Sequence, residues 1–297
     1  MRTLWAATLA TVLLAMSHTV AARSFDKEVA ADPNGTVEVS NVSGKVEVTG
    51  WDQPRVSVHA ELSGDVSDIE VNSERGRTTI SVRFPRATFF GGGDAHLKIM
   101  IPRGSECDVS AVSADVSSSG VLGAQRLKSV SGSIVADIAQ ADVEAKSVSG
   151  DITLRGNGKP GALHATSISG TVRLDRGAGD IEANTVSGDL KVSLDPGRSV
   201  RMRTTSGDVA IQGRLAKDAD LDAQTVSGDV SLRAAPEGGY SYEVATFSGS
   251  ISNCFNATAE RTSKYGPGER LSGTRGTGGA HVRIKTMSGD VELCDRP

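Results

Sequence analysis

One hexapeptide recurs along most of this chain, and it limits the fold more than any other feature. It reads SVSGDI at Ser147–Ile152, TVSGDL at Thr185–Leu190, TTSGDV at Thr204–Val209, TVSGDV at Thr225–Val230 and TMSGDV at Thr286–Val291. Aligned on the serine, copies fall at Ser131, Ser149, Ser169, Ser187, Ser206, Ser227, Ser248 and Ser288. An imperfect copy sits at Ser113, followed by Ala114, and an outlying one at Ser43. The steps from Ser113 onward are 18, 18, 20, 18, 19, 21, 21 and 40 residues. A period that drifts in this way excludes the strict repeats of collagen and coiled coils. It suits one coil of a β-solenoid, whose corners absorb the variation.

The columns around the serine predict the coil. Four residues before it stand Leu127, Ala145, Ala165, Ala183, Met202, Ala223, Val244 and Ile284; three after it stand Ile134, Ile152, Val172, Leu190, Val209, Val230, Ile251 and Val291. Further apolar columns lie six before and five after. Apolar residues two apart mean strands with one face inward. The inward parity is even before the serine and odd after it, so the chain turns a corner at Ser-Gly. Glycine is expected there for a positive φ. The aspartate or hydroxyl that follows is expected to accept hydrogen bonds from the turn. Ser or Thr two before the serine, in all eight copies, predicts a stacked hydroxyl ladder. The fold class is therefore all-β: a single-stranded parallel β-helix or β-solenoid with coils of 18–21 residues. With coils about 4.8 Å apart, nine or so would make a rod on the order of 45 Å long.

The column immediately before the serine holds Val130, Val148, Ile168, Val186, Thr205, Val226, Phe247 and Met287. Strict alternation points it outward. Monomers rarely expose so long an apolar stripe, so the expectation is that the corner lets it pack inward.

Both ends of the repeat are irregular. Residues 23–105 read as irregular first coils or a small sheet that caps the open edge, with the repeats proper over 106–297. In the 40-residue step, a hidden coil centred on Ser272-Gly273 would leave its core columns to Gly266, Gly268 and Arg275. Residues 257–280 are therefore read as a loop or hairpin inserted in one coil. Cys254 and Cys294 both stand six after their serines. If their coils are adjacent, equivalent Cα atoms stack about 4.8 Å apart, within disulfide range. A Cys254–Cys294 bond closing the insertion is expected. Cys107 falls in an apolar column and reads as a small buried hydrophobe.

Catalysis finds little support. A nucleophile is used once and needs a base, whereas this serine recurs and none of His59, His96, His164 and His281 keeps step with it. No G-x-S-x-G elbow occurs. The S-x-x-K match at Ser24–Lys27 lacks companion motifs. Asp189, Asp208 and Asp229 fall in one column on successive coils, and like charges so close repel unless spread or bridged. They are the candidate calcium ligands. Against them, the G-G-x-G-x-D signature is absent, and Thr171 and Ser250 interrupt the column. No other cofactor is expected. Candidate recognition residues are Phe89 and Phe90 beside a glycine-rich tip, and Arg261, Lys264, Arg270 and Arg275 in the basic insertion.

Composition and the N-terminus bear on location. Aromatic residues make up only 4% of the 297, with 34 glycines, which favours thin regular strands and turns. The net charge of -4 offers no basic face for nucleic acid. Arg2, the apolar run Leu4–Met16 and the small residues Val20–Ala22 predict a secretory signal over residues 1–22, cleaved after Ala22. The mature chain is then expected to lack a transmembrane segment and to be exported, to the periplasm or the cell surface.

An export signal followed by VSGDV units, with NVSGKVEVTGWD, LKIMIPRG and VSADV upstream, resembles the bacterial putative-adhesin family of β-strand-repeat proteins, domain of unknown function 4097. The resemblance implies a β-solenoid of the cell envelope, with an adhesive role and no catalytic residues. The leading expectation is a non-enzymatic adhesion or interaction scaffold whose partner is an envelope protein or polysaccharide. A carbohydrate-active β-helix enzyme, similar to polysaccharide lyases, and an envelope-stress signalling partner are the alternatives.

Overall fold

The computed structural model describes residues 23–295 apart from 65, 67, 85–92, 237 and 263–265. Residues 1–22, where a signal is expected, and Phe89, Phe90 and Lys264 lie outside the described residues. All regular structure described is strand.

The alternation read from the sequence becomes a stack of parallel coils. Before the corner, Cys107 pairs with Gln125, Gln125 with Val143, Val143 with Leu163, and Leu163 with Ile181. After it, Val116 pairs with Ile134, Ile134 with Ile152, Ile152 with Val172, and Val172 with Leu190. Equivalent positions thus sit above one another, and the inward columns form one continuous core in which Leu127, Ile134, Ile152, Leu154, Leu190, Met202 and Ile211 are wholly buried. Each such aliphatic side chain contributes roughly 1.5–3 kcal/mol through removal from water, before ordering entropy is subtracted. Gln125 is a polar residue in one of these inward columns. Its amide nitrogen donates to the Asp137 carbonyl at 3.1 Å, while its oxygen is buried without a partner.

The N-terminal end is closed by antiparallel strands. Strand Thr36–Trp51 forms a whole coil, parallel to Glu106–Ser119 along its length. Its other side is covered by two separate strands, Arg77–Arg83 over its first half and Asp94–Pro102 over its second. Asp68–Glu74 and Arg55–Ser63 pair antiparallel onto these, and Arg23–Ala30 onto Arg55–Ser63. The two outermost strands are then tied together. Lys27 Nζ donates to the Val71 carbonyl at 2.8 Å and Ser73 Oγ to the Ala30 carbonyl at 2.9 Å. Edge groups that would template pairing with another chain are turned toward each other.

At the C-terminal end the coils are out of chain order. The first half of strand Val209–Ser227 pairs with Val230–Pro236, the next coil, but its second half pairs with Ala280–Ser288, in register from Asp220↔His281 to Ser227↔Ser288. Gly239–Ser248 lies on the far side of that strand, with Ser248 opposite Ser288. The last coil therefore occupies the slot between the Ser227 and Ser248 coils. The insertion is what makes this possible. Its strand Glu269–Gly276 pairs antiparallel with Gly239–Ser248, from Gly239↔Gly276 to Thr246↔Glu269, and covers the outer edge of the stack. Leu271, opposite Val244, is buried there. Of the two forms expected for the insertion the hairpin is found: Glu260–Arg261 pairs with Glu269–Gly276, and the latter caps the C-terminal end. Cys254 and Cys294 are joined, their Cα atoms 4.9 Å apart on adjacent coils.

Candidate functional site

The Ser-Gly corner concentrates the polar residues that could do chemistry, and the structure spends most of them on stacking. The hydroxyl two before the serine points inward and is buried. Thr185 Oγ1 donates to the Gly170 carbonyl at 3.3 Å, Thr225 Oγ1 to Gly207 at 3.3 Å, and Thr246 Oγ1 to Gly289 at 3.0 Å. Ser129 Oγ donates to the Ala114 carbonyl at 3.2 Å and also accepts the amide of its own glycine, Gly132, at 2.9 Å. The hydroxyl ladder therefore links successive corners, and without it buried carbonyls would lack partners.

The positive φ expected of the corner glycine is found at Gly207, Gly228, Gly249 and Gly289, and a second requirement applies beside it. Gly207 does have a positive φ, of 153°, but Gly150 is not among the positive-φ glycines. What the two share is close approach. A Cβ on Gly150 would lie 2.1 Å from the Gly132 carbonyl oxygen, and one on Gly207 2.2 Å from that of Gly188. Each corner glycine seats its α-carbon against the corner glycine below. The Ser43 and Ser113 copies are looser because strands Thr36–Trp51 and Glu106–Ser119 run unbroken through the position.

The aspartate column forms a clamp between coils. Asp151 Oδ1 accepts the backbone amide of Thr171 at 2.8 Å, Asp189 that of Asp208 at 3.1 Å, Asp208 that of Asp229 at 2.9 Å, and Asp229 that of Asp290 at 2.8 Å. Lys191, bonded at 3.0 Å, and then the Asp208 amide hold the Asp189 carboxyl below its ordinary range. The amide and then the hydroxyl of Ser250 do the same for Asp290. Among the described residues the calcium candidates Asp189, Asp208 and Asp229 each turn one oxygen to an amide of the neighbouring coil. Each carboxylate has an amide to satisfy, and the three do not gather into a ligand group. Among the described residues one potential metal group occurs, Cys254, Glu292 and Cys294, and its sulfurs are bonded to each other.

The column before the serine corrects the expectation of inward packing. Alternation holds right up to the corner: the hydroxyl turns in, so its successor turns out. Val130, Val148, Ile168, Val186 and Val226 are exposed, Met287 is 58% exposed and Phe247 68%. Val42 and Val112 continue the line into the first two coils and are exposed as well. The result is an apolar ridge along the whole stack, larger than monomers commonly present to water. On one side runs the column three before the serine, with Lys128, Lys146, Arg203 and Lys285 and no acid. On the other runs the clamp column, with Asp151, Asp189, Asp208, Asp229 and Asp290 and, from Ser131 on, no base. Where Arg203 and Lys285 meet Thr205, Val226, Met287 and Phe247, the ridge is bordered by a shallow groove of about 480 Å³.

The remaining candidates do not assemble into one site. Arg270 is drawn back to Glu243 at 2.8 Å, and Arg275 to Asp295 at 2.5 Å with its guanidinium 4.7 Å from the Phe255 ring centre. Both are held against the coils because their strand is itself the cap. Arg261 is exposed on the short strand paired with Glu269. The histidines stay apart: His59 lies 2.6 Å from Asp26, His164 3.4 Å from Glu182, and His281 2.7 Å from the Ser241 hydroxyl. Burial pushes the Cys107 thiol up to about 12, so it is unreactive in the core.

Two solved structures show what the chain is similar to. A "putative adhesin" from Parabacteroides merdae ATCC 43184 aligns over 91% of this chain and 96% of its own, at 14% identity and a TM-score of 0.49. A "putative cell adhesion protein" from Clostridium sporogenes ATCC 15579 aligns over 92% and 99%, at 9% identity and a TM-score of 0.21. No curated protein sequence matches. The model of one family, described as Toastrack DUF4097, matches residues 36–294, from the first whole coil to the disulfide, and the chain belongs to that family.

Proposed function

We propose that the protein is an exported, non-enzymatic scaffold of the cell envelope that works by binding along its corner ridge. One observation carries the reading: the line of exposed apolar side chains from Val42 to Phe247, interrupted only at Thr205. Burying hydrophobic surface is the dominant favourable term in most protein association, and folding alone would be served as well by polar residues at these outward positions. The inward hydroxyls and the aspartates beside the ridge serve the stacking of the corners, which favours a structural reading of the repeated motif. A disulfide between adjacent coils fits an oxidising compartment. The test is a charge placed on the ridge. Val148→Asp with Val186→Asp is expected to leave the circular dichroism of the mature chain unchanged and to abolish its retention on envelope fractions. Retention equal to the parent would refute the reading.

A further inference from the structure

The ridge and its two flanks fit a second copy of this chain. We propose that the protein self-associates ridge to ridge as a parallel two-fold dimer, with the symmetry axis running along the stack. The inference rests on the ridge being a binding surface, as proposed above.

The choice of occupant follows from the order of charge across the ridge. From the Ser113 coil onward each coil presents a cationic or neutral residue, then the ridge residue (apolar in all but Thr205), then an acidic or neutral one. Two copies can be brought face to face by a two-fold axis along the stack or by one across it. An axis across the ridge sets the cationic column against itself. An axis along the stack sets the cationic column of each copy against the acidic column of the other, with like coils at equal height.

The two columns are matched coil by coil, which is what equal height requires. Lys146 shares its coil with Asp151, Arg203 with Asp208, and Lys285 with Asp290. Where the cation is replaced by an amide, Asn184 or Gln224, the aspartate still finds a donor. The Ser169 coil is neutral on both sides, with Thr166 and Thr171. From the Ser131 coil onward no coil would oppose like charges. An anionic lipid surface would satisfy only one flank, since the aspartate column would face the head groups. Isologous contact of this kind is the commonest way soluble proteins assemble.

The dimensions suffice. Ten coils spaced about 4.8 Å span roughly 43 Å, and the five residues from the cationic to the acidic column span about 17 Å. The product is about 700 Å², near the roughly 800 Å² that a stable interface takes from each partner. Phe247 and Met287 are the most exposed of the ridge residues, and the groove of about 480 Å³ lies beside them, so the C-terminal coils are the anchoring end.

The test uses the mature chain, residues 23–297. Light scattering after size exclusion is expected to give a dimer that Val148→Asp with Val186→Asp converts to a monomer with the parent's circular dichroism. A single Val130→Cys is expected to oxidise to a covalent dimer. A mixture of Val130→Cys and Met287→Cys chains should give Val130–Val130 links and not Val130–Met287 links. One chain carrying Lys146→Glu and Arg203→Glu, and another carrying Asp151→Lys and Asp208→Lys, should each be monomeric alone and dimerise when mixed. A parent chain monomeric at its highest soluble concentration, or Val130–Met287 links, overturns the proposal. If the parent is monomeric but ridge charges still abolish envelope retention, the scaffold reading stands and the dimer falls. If it is a dimer whose retention ignores those charges, the reverse holds.

Discussion

The carboxylate of Asp229 accepts the backbone amide of Asp290 at 2.8 Å, although the two are 61 residues apart in the chain. The next aspartate or hydroxyl in sequence, Ser250, instead bonds the far side, through its amide and hydroxyl to Asp290. This relay marks both the clamp between corners and the slot taken by the last coil. Replacing Asp229 by Ala is expected to lower stability by about 1 kcal/mol, the net value of one exposed hydrogen bond. Asn, which keeps the acceptor, should recover most of it. Urea unfolding of the three proteins measures the order, and equal midpoints for Ala and the parent would remove the clamp from the energetics.

Gly150→Ala is expected to cost about 3 kcal/mol, at the upper end of what overpacking does. The added carbon would meet the Gly132 carbonyl oxygen at 2.1 Å, and the coils must separate to admit it. Ala114, in a coil whose strand passes straight through the corner, is the natural control: Ala114→Gly should change the urea midpoint far less.

The Cys254–Cys294 bond closes a 40-residue separation, for which chain entropy gives about 4 kcal/mol. Cys254→Ser with Cys294→Ser should therefore lower the melting temperature. The loss should concentrate at one end, with hydrogen exchange rising first in strands Ala280–Ser288 and Val291–Cys294 while Ile152–Arg155 stays protected. Uniform loss of protection would show that the bond guards the whole stack.

Acid should weaken the structure in a defined direction. Lys191 and the Asp208 amide depress Asp189 below its ordinary value of 3.8, and Asn184 with His164 depress Glu182 below 4.5. Groups depressed on folding contribute stability above their unfolded values and lose it as pH falls through the folded ones. The melting temperature should be level from about pH 7 to 5 and drop below about pH 4. Asp189→Asn should flatten part of that drop, and an unaltered acid limb in this variant would contradict the assignment.

The coil and its corner were legible because the chain writes them many times over. A column such as Ile134, Ile152, Val172 and Leu190 defines an inward face by repetition alone. The order of the last coils was not legible, for the same reason. The segments around Ser227, Ser248 and Ser288 carry equivalent columns, so any could stack on any other. What decides is the antiparallel cap Glu269–Gly276, whose own pattern reads as empty because it fits no coil. The cysteines escaped this degeneracy, since only two coils carry them at the stacked position. The ridge was misjudged by reasoning from the isolated monomer. The inward hydroxyl at positions such as Thr185 fixes Val186 outward, and that geometry prevails over the general tendency to hide apolar surface.

The slot between Ser227 and Ser248 also imposes a schedule. A chain emerging N-terminus first completes the Ser248 coil before the coil that must lie beneath it exists. From Glu106 to Pro236 the coils can accrete in order, each upon the last, but the final architecture waits for strands Ala280–Ser288 and Val291–Cys294 to arrive. Completion is thereby tied to the delivery of a whole polypeptide, and a chain cut short before Ala280 has no way to finish its own end.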